Sequence, residues 1–194
     1  HAPRCGLKGQ TMTQLTYIRA ENHDRDARIR GSQKAVIDRI AAAPEQARST
    51  IRTTGEIGAG LACTVTQGKF AATMDLGPGM GGDAAGPSPG FFARAAIAGC
   101  VGIAVKMLAA REGVSIDRVS VAVETDFDDA ALFGIGPGTA APTETRVSLD
   151  IITNADRAVI DDIVARALAM DPWFLALRDP QSVTTAMTVT APGK

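Results

Sequence analysis

The sequence predicts an α+β fold, and three of its features lead to that prediction. Short stretches that alternate apolar and polar residues, as half-buried strands do, lie on both sides of one long apolar segment. That segment, residues 86–111, is apolar on all sides, which is typical of a buried helix. A second, amphipathic helix and a final alternating stretch come later. The predicted order is therefore strands, one long central helix, two strands, a helix and a strand.

The composition indicates a soluble globular domain with a substantial core. The chain has 194 residues, of which 45% are hydrophobic and 21% are charged. Its net charge is −1 and it contains no long basic run, so we expect no nucleic-acid partner. The polar N-terminus lacks the apolar stretch of a secretory leader. Three widely spaced cysteines do not form a disulfide framework, and together these features favour a cytoplasmic protein.

Both histidines, His1 and His23, lie near the N-terminus and outside the predicted core. A Ser-His-Asp triad, a Cys-His pair or a histidine-ligated zinc site in the core is therefore not expected. We expect no metal and no cofactor. Any chemistry of the core must use cysteine, carboxylate, arginine, tyrosine or backbone groups.

Two segments are predicted ahead of the main domain, which is assigned to residues 47–194. Residues 1–30 are charged and lack periodicity, which predicts a loose N-terminal arm. The chain opens with His1 rather than methionine, which leaves open an expression-vector origin for the residues before Met12. Residues 31–46 are predicted to hold an appended amphipathic helix, because apolar residues recur there at helical spacing until a proline.

Three strands are predicted next, over Thr50–Glu56, Leu61–Thr66 and Lys69–Asp75. A Gln-Gly pair supplies the turn between the second and the third. Alternation in the second strand places Cys63 on the same side as two aliphatic residues. Its thiol is therefore interpreted as buried and inert.

A glycine-rich loop, residues 76–86, leads from these strands to the long helix. Its glycines formally satisfy the G-x-G-x-x-G pattern of dinucleotide sites. Pro78 interrupts the motif, and the helix begins several residues too late to direct its N-terminus at a pyrophosphate. The loop is therefore not interpreted as a nucleotide site.

The long helix has clear start and stop signals. Ser88 is predicted to cap it, Pro89 suits its first position, and Gly113 ends it. Its length also fits a membrane span, but nothing else in the sequence is typical of a membrane protein, so no membrane partner is expected. Its apolar surface exceeds what one small sheet can cover, and its many alanines and glycines allow close approach. We therefore expect a close homodimer, with Cys100 in the middle of this helix.

The rest of the chain is predicted as two strands, a helix and a last strand. The two strands, Ser115–Phe127 and Glu144–Thr153, are joined by a long loop. An amphipathic helix follows and ends before Pro172. An apolar turn, Trp173–Leu177, and a last alternating strand, Val183–Thr190, complete the chain.

Two stretches carry a resemblance to the OsmC/Ohr family, the osmotically inducible protein C and organic hydroperoxide resistance proteins. One is GGDAAGPSPGFFARAAIAGCVGIAVKMLAAREGVSID, in which paired glycines, Gly-Pro-Ser-Pro and a long helix with a cysteine follow one another. The other is TRVSLDIITNADRAVIDDIVARALAMDP, which is similar to the family's second strand and helix. The resemblance covers about residues 50–190 in the order of elements.

The resemblance implies an OsmC-like fold and an intertwined homodimer with the two long helices at its centre. It also implies a thiol peroxidase for organic hydroperoxides, in which Cys100 occupies the peroxidatic position. In the family, a second cysteine just before a proline after the second helix forms a disulfide with the oxidised first cysteine. A dithiol reductant then restores both thiols.

This chain departs from the family pattern at three positions. Asp171 stands where the second cysteine is expected. Gly90 stands where the peroxidases have a glutamate that orients an activating arginine. In the family that arginine comes from the first hairpin, where Arg52 is the nearest candidate in this chain; Arg94 on the long helix is the other weak candidate.

Two functions remain open from the sequence. In one, Cys100 reduces organic hydroperoxides by a one-cysteine route with an external thiol or dithiol. It lies too far inside its helix to feel the N-terminal dipole, and apolar surroundings raise a thiol pKa, so a slow nucleophile is expected. In the other, the fold binds a small apolar or acidic ligand between the helices, and Cys100 is a buried core thiol. Whether Cys63 pairs with Cys100 stays open. The candidate pocket residues for both functions are Phe91, Phe92, Trp173 and Phe174.

Overall fold

The chain folds into two antiparallel sheets and five helices within the part that the computed structural model describes, residues 12–191. The α+β class is confirmed. A short 3₁₀ turn, Pro44–Ala47, follows the first helix. In chain order the elements are α1 (Met12–Ala42), β1 (Thr54–Ile57), β2 (Cys63–Gln67), β3 (Phe70–Met74), α2 (Pro89–Glu112), β4 (Ile116–Asp126), α3 (Asp129–Leu132), β5 (Glu144–Thr153), α4 (Arg157–Ala169) and α5 (Pro172–Arg178).

The two sheets differ in how much of the chain covers them. Strands β1, β2 and β3 form one antiparallel sheet in that order, and the predicted Gln67–Gly68 turn joins the second to the third. Apolar side chains of this sheet, such as Ile57 and Phe70, are exposed. Strands β4 and β5 form a long antiparallel ribbon, which packs against α2.

Helix α2 begins and ends as its sequence predicts. The Ser88 Oγ accepts a hydrogen bond from the Phe91 N–H at 3.2 Å, and Gly113 ends the helix in the left-handed region with φ 74°. One face of α2 forms the core with β4 and α4. The buried apolar residues of that core are Val105, Leu108, Ala109, Ile116, Ile160, Ile163 and Ala167.

The opposite face of α2 is not covered within one chain, although the sequence predicts a helix buried on all sides. Ile103 is 60% exposed and Met107 is 37% exposed. Among the described residues, α2 is also the one helix that is long and apolar enough to cross a membrane. Core helices of soluble proteins often have the same length and composition. The exposed face therefore needs a cover that a single chain does not supply.

Two predictions about local structure differ from what the structure shows. Helix α1 begins at Met12, so residues 12–30 are helical rather than a loose arm. Contacts with α2 support this segment, although its sequence lacks periodicity. Residues 1–11 lie outside the described part. The last predicted strand, Val183–Thr190, has no regular secondary structure and is exposed. An alternating stretch becomes a strand only when it finds a neighbour to pair with, and within one chain this stretch finds none.

A buried carboxylate fixes the glycine-rich loop ahead of α2. The Asp75 side chain accepts hydrogen bonds from the backbone N–H groups of Leu76, Asp83 and Ala85 at 2.7–3.1 Å. These bonds, that of Ala85 foremost, lower the pKa of Asp75, because they favour the ionised carboxylate. This role of Asp75 was not predicted from the sequence, because it depends on where the loop returns to the end of β3.

We expect Asp75→Asn to lower the midpoint of urea unfolding at pH 7, because an amide nitrogen cannot accept the N–H groups of Asp83 and Ala85. The native pKa of Asp75 lies below its unfolded value, so its contribution is present above about pH 4 and is lost as the pH falls further. The difference between the variant and the wild type should therefore shrink between pH 4 and pH 2. Asp83→Asn, in the same loop, is the control. Equal midpoints for all three proteins at pH 7 would contradict the prediction.

Candidate functional site

Cys100 lies half-buried at the middle of α2, as the twelfth of its 24 residues. Three turns separate it from the helix N-terminus, so the helix dipole does not act on its thiol. Its sulfur instead faces the junction between α4 and α5. Helix α5 packs against α2 and presents the first residues of its N-terminus there.

Asp171 is the closest charged partner of Cys100, and it is fully buried with 0% exposure. It is the N-cap of α5, and its Oδ1 accepts the backbone N–H groups of Trp173 at 3.0 Å and Phe174 at 2.8 Å. The other oxygen, Oδ2, is buried and has no partner at normal hydrogen-bond geometry. The structure thus brings together the two residues that the sequence analysis placed at the peroxidatic and resolving positions.

The surroundings of Cys100 favour its neutral thiol. Burial is the largest cause that raises the pKa of Cys100, and hydrogen bonding and charge from the Asp171 carboxylate raise it further. The backbone N–H of Trp173 acts in the opposite direction, because a thiolate could share this donor with the Asp171 Oδ1. The balance leaves the pKa above its ordinary value, so little thiolate is present at neutral pH.

Neither arginine candidate is among the groups that shift the pKa of Cys100. The Arg94 side chain lies back along the first turn of α2, with Nη1 3.4 Å from the position that a Cβ on Gly90 would occupy. Arg52 is exposed in the segment that leads to β1. Among the side chains that the structure describes, no cation therefore lowers the pKa of Cys100 as an activating arginine would.

The four aromatic candidates lie at two helix starts, Phe91 and Phe92 in the first turn of α2, and Trp173 and Phe174 in the first turn of α5, which faces Cys100. Phe91 and Phe92 contact each other edge to face, with ring centroids 5.5 Å apart. Phe91 and Trp173 are exposed, whereas Phe92 and Phe174 are half-buried. None of the four lines the large cavity described next.

A cavity of about 870 Å³ lies between α1, α2 and β4. Its walls are mostly apolar, and small residues such as Gly99 and Gly102 of α2 form its floor. This cavity was not predicted from the sequence, because residues 28–30 of its α1 wall were interpreted as part of a loose arm and residues 31–33 as part of a separate appended helix. The helical turn from Arg28 to Gln33 supplies that wall.

Cys63 and Cys100 are both free thiols. Cys63 is half-buried in β2, where its Sγ lies 3.2 Å from the position that a Cβ on Gly55 would occupy. The third cysteine, Cys5, lies outside the described residues. Across residues 12–191, no group of three or more histidine, cysteine, aspartate or glutamate residues could hold a metal ion.

The long helix α2 packs on the β4–β5 ribbon, and its half-buried cysteine faces the turn between α4 and α5. This arrangement is typical of the OsmC-like class of folds. The family model described as OsmC-like protein matches residues 81–186, from the glycine-rich loop through α5. The chain therefore belongs to the OsmC-like protein family, as its resemblance predicts.

Solved structures support the same fold. The chain is similar to an OsmC-like protein from Mycoplasma pneumoniae, with a TM-score of 0.58 and 16% identity over 67% of this chain and 88% of that one. An osmotic stress induced and detoxification response protein from Psychrobacter arcticus gives a TM-score of 0.52 and 11% identity over 66% of this chain and 88% of that one. An organic hydroperoxide resistance protein from Elizabethkingia anophelis gives a TM-score of 0.51 and 17% identity over 68% of this chain and 89% of that one. No curated protein sequence matches the chain. At these identities the likeness establishes the fold alone.

Proposed function

We propose that this protein reduces organic hydroperoxides at Cys100 by a one-cysteine route that is slow at neutral pH. The observation that carries the proposal is the position of Cys100, half-buried on α2 and facing the backbone N–H of Trp173 at the start of α5. That N–H is a donor that stabilises a thiolate once it forms. Membership of the OsmC-like family adds support, since one of the similar structures is an organic hydroperoxide resistance protein.

The reaction needs no metal or cofactor. The Cys100 thiolate attacks the terminal oxygen of the hydroperoxide, the O–O bond breaks, and the leaving alkoxide takes up a proton to become an alcohol. Cys100 is oxidised to a sulfenic acid. Because Asp171 occupies the position of the second cysteine, an external thiol condenses with the sulfenic acid and releases water. A second thiol, or the other arm of a dithiol, then attacks the mixed disulfide and restores Cys100.

Replacing Cys100 by serine should remove turnover of cumene hydroperoxide in the presence of dithiothreitol, because serine cannot form a sulfenic acid. The wild-type rate should rise with pH through the neutral range, since burial and Asp171 raise the pKa of Cys100. Consumption of the hydroperoxide at several pH values provides the measurement. Cys63→Ser is the matched control and should retain the wild-type rate. Equal rates for wild type and Cys100→Ser at every pH would contradict the proposal.

The proposed active form is a cytoplasmic homodimer. The exposed apolar face of α2, the exposed side chains of the β1–β3 sheet and the unpaired stretch 183–190 all present surfaces that a second copy could cover. Free thiols at Cys63 and Cys100 suit a reducing compartment. In such a dimer a cation from the second chain could reach Cys100, on whose pKa no described arginine of its own chain acts.

The raised pKa of Cys100 favours a second candidate function, in which the fold binds a small apolar or acidic ligand near this thiol without reacting. Phe92 and Phe174, both half-buried, are the side chains that such a ligand would contact. This function predicts no Cys100-dependent turnover up to pH 10 and a melting temperature that rises with decanoate or another small carboxylate. Turnover of hydroperoxide that depends on Cys100 would instead support the peroxidase function and contradict this one.

A further inference from the structure

Helix α1 is fixed to α2 by polar contacts, one of which is made by a buried carboxylate. Asp26, which is almost fully buried, forms an ion pair with Lys106 at 3.3 Å, and the Lys106 Nζ also donates to the backbone carbonyl of Ile116 at 2.6 Å. The Arg30 Nε donates to the carbonyl of Ala110 at 2.8 Å, near the end of α2. These contacts hold α1 in a defined position, although α1 lies outside the residues that match the family model.

The face of α1 beyond these contacts carries an apolar stripe with the spacing of a helix-packing seam. Ile29, Val36, Ile37 and Ile40 stand at positions i, i+7, i+8 and i+11, which is the spacing of one face of an α-helix. Val36, Ile37 and Ile40 are all exposed in one chain. Contact with α2 in the same chain therefore does not explain this stripe.

Helix α2 continues the same apolar surface. Gly99, Ile103 and Met107, four residues apart, are exposed and line the cavity of about 870 Å³ together with Ile29 and Gln33 of α1. No atom lies within 4 Å of the position that a Cβ on Gly99 would occupy, so another backbone can approach closely there. The two helices thus form one open apolar groove, which we call the α1–α2 groove.

The charges around the α1–α2 groove have both signs. Arg28 of α1, Lys106 of α2 and Arg118 of β4 line it, and so does Asp117. Asp26 pairs with Lys106, and Asp150 pairs with Arg118 at 3.7 Å, so the cations do not make the surface one of a single sign. A surface with one sign of charge would suit a polyanion or an anionic membrane. A surface that carries cations and an acid can instead face a copy of itself across a two-fold axis, where opposite charges meet.

We propose that the α1–α2 groove is covered by the same groove of a second copy, so that α1 is part of the dimer interface. The inference rests on the proposed homodimer and adds to it an element outside the matched family region. Each Ile103 lies in the groove of the opposite chain, and the α1 stripe of each chain flanks the pair of α2 helices. Helix α1 thereby contributes to the stability of the dimer.

Sedimentation equilibrium of the full chain tests the proposal. Ile37→Asp places a charge on the α1 stripe, where Ile37 is 43% exposed, so a monomer tolerates it. We expect this variant to raise the dimer dissociation constant at least about tenfold, the effect of losing one interface anchor. Ile135→Asp makes the same change at a residue of the β4–β5 loop that is 64% exposed, and it should leave the constant unchanged.

Two further measurements separate the outcomes. Far-ultraviolet circular dichroism of Ile37→Asp must match the wild type, and hydrogen exchange of residues 29–41 should slow on dimerisation of the wild type. A wild type that stays monomeric at high concentration overturns the dimer and this inference, while the Cys100 assay still tests the chemistry. A dimer that Ile37→Asp leaves intact, or a copurified small molecule that fills the groove in an unaltered dimer, overturns this inference alone.

Discussion

Ile163→Ala is expected to lose about 2–5 kcal/mol of the free energy of unfolding, the usual cost of emptying a buried aliphatic position. Ile163 of α4 is 0% exposed and belongs to the cluster that includes Val105 and Leu108 of α2. Two helices and the β4–β5 ribbon meet around it, so the cavity that alanine leaves cannot easily collapse. Domains are stable by only about 5–15 kcal/mol, so such a loss would be a large share of the total.

Urea unfolding at one fixed protein concentration measures this loss, since the stability of a dimer depends on concentration. Ile135→Ala makes the same substitution at an exposed position and should change the free energy of unfolding by less than about 0.5 kcal/mol. If the two variants unfolded at the same urea concentration, the packing of α4 against α2 would not be the main core of the chain.

The sequence predicts α2 well because its signals are local. Ser88, Pro89 and Gly113 act through neighbouring backbone groups, and all three are found in the roles that their chemistry indicates. The same holds for the turn at Gln67–Gly68, where Gly68 has φ 56°. Such signals do not depend on the rest of the molecule, so they can be read from a short stretch.

The features that the sequence did not predict depend on distant contacts. Residues 12–30 are helical with the support of Asp26 and Arg30, which reach α2 about 80 positions later. Val183–Thr190 has the alternation of a strand but no neighbour in its own chain. The pairing of Cys100 with Asp171 was predicted from the family resemblance, since no local pattern links positions 71 residues apart.

Asp171→Asn is expected to increase the reactivity of Cys100 at pH 7 by about threefold for each unit by which the thiol pKa falls, because a tenfold gain in thiolate is partly offset by its lower nucleophilicity. The substitution removes the carboxylate charge that raises the pKa of Cys100 and leaves the effect of burial in place. The asparagine Oδ1 can still accept the N–H groups of Trp173 and Phe174, so the start of α5 should persist. The amide nitrogen can donate to the thiolate, where the carboxylate cannot.

The rate of alkylation by iodoacetamide, followed on the Cys100 peptide by mass spectrometry, reports this change without interference from Cys63. Its pH profile should shift to lower pH in Asp171→Asn while the limiting rate at high pH falls modestly, because a thiolate of lower pKa is a weaker nucleophile. Asp179→Asn, at the opposite end of α5 and paired with Arg178, is the control and should behave as wild type. A slower reaction in Asp171→Asn would mean that Asp171 accepts the thiol proton as a base. The carboxylate would then promote the chemistry of Cys100 rather than restrain it.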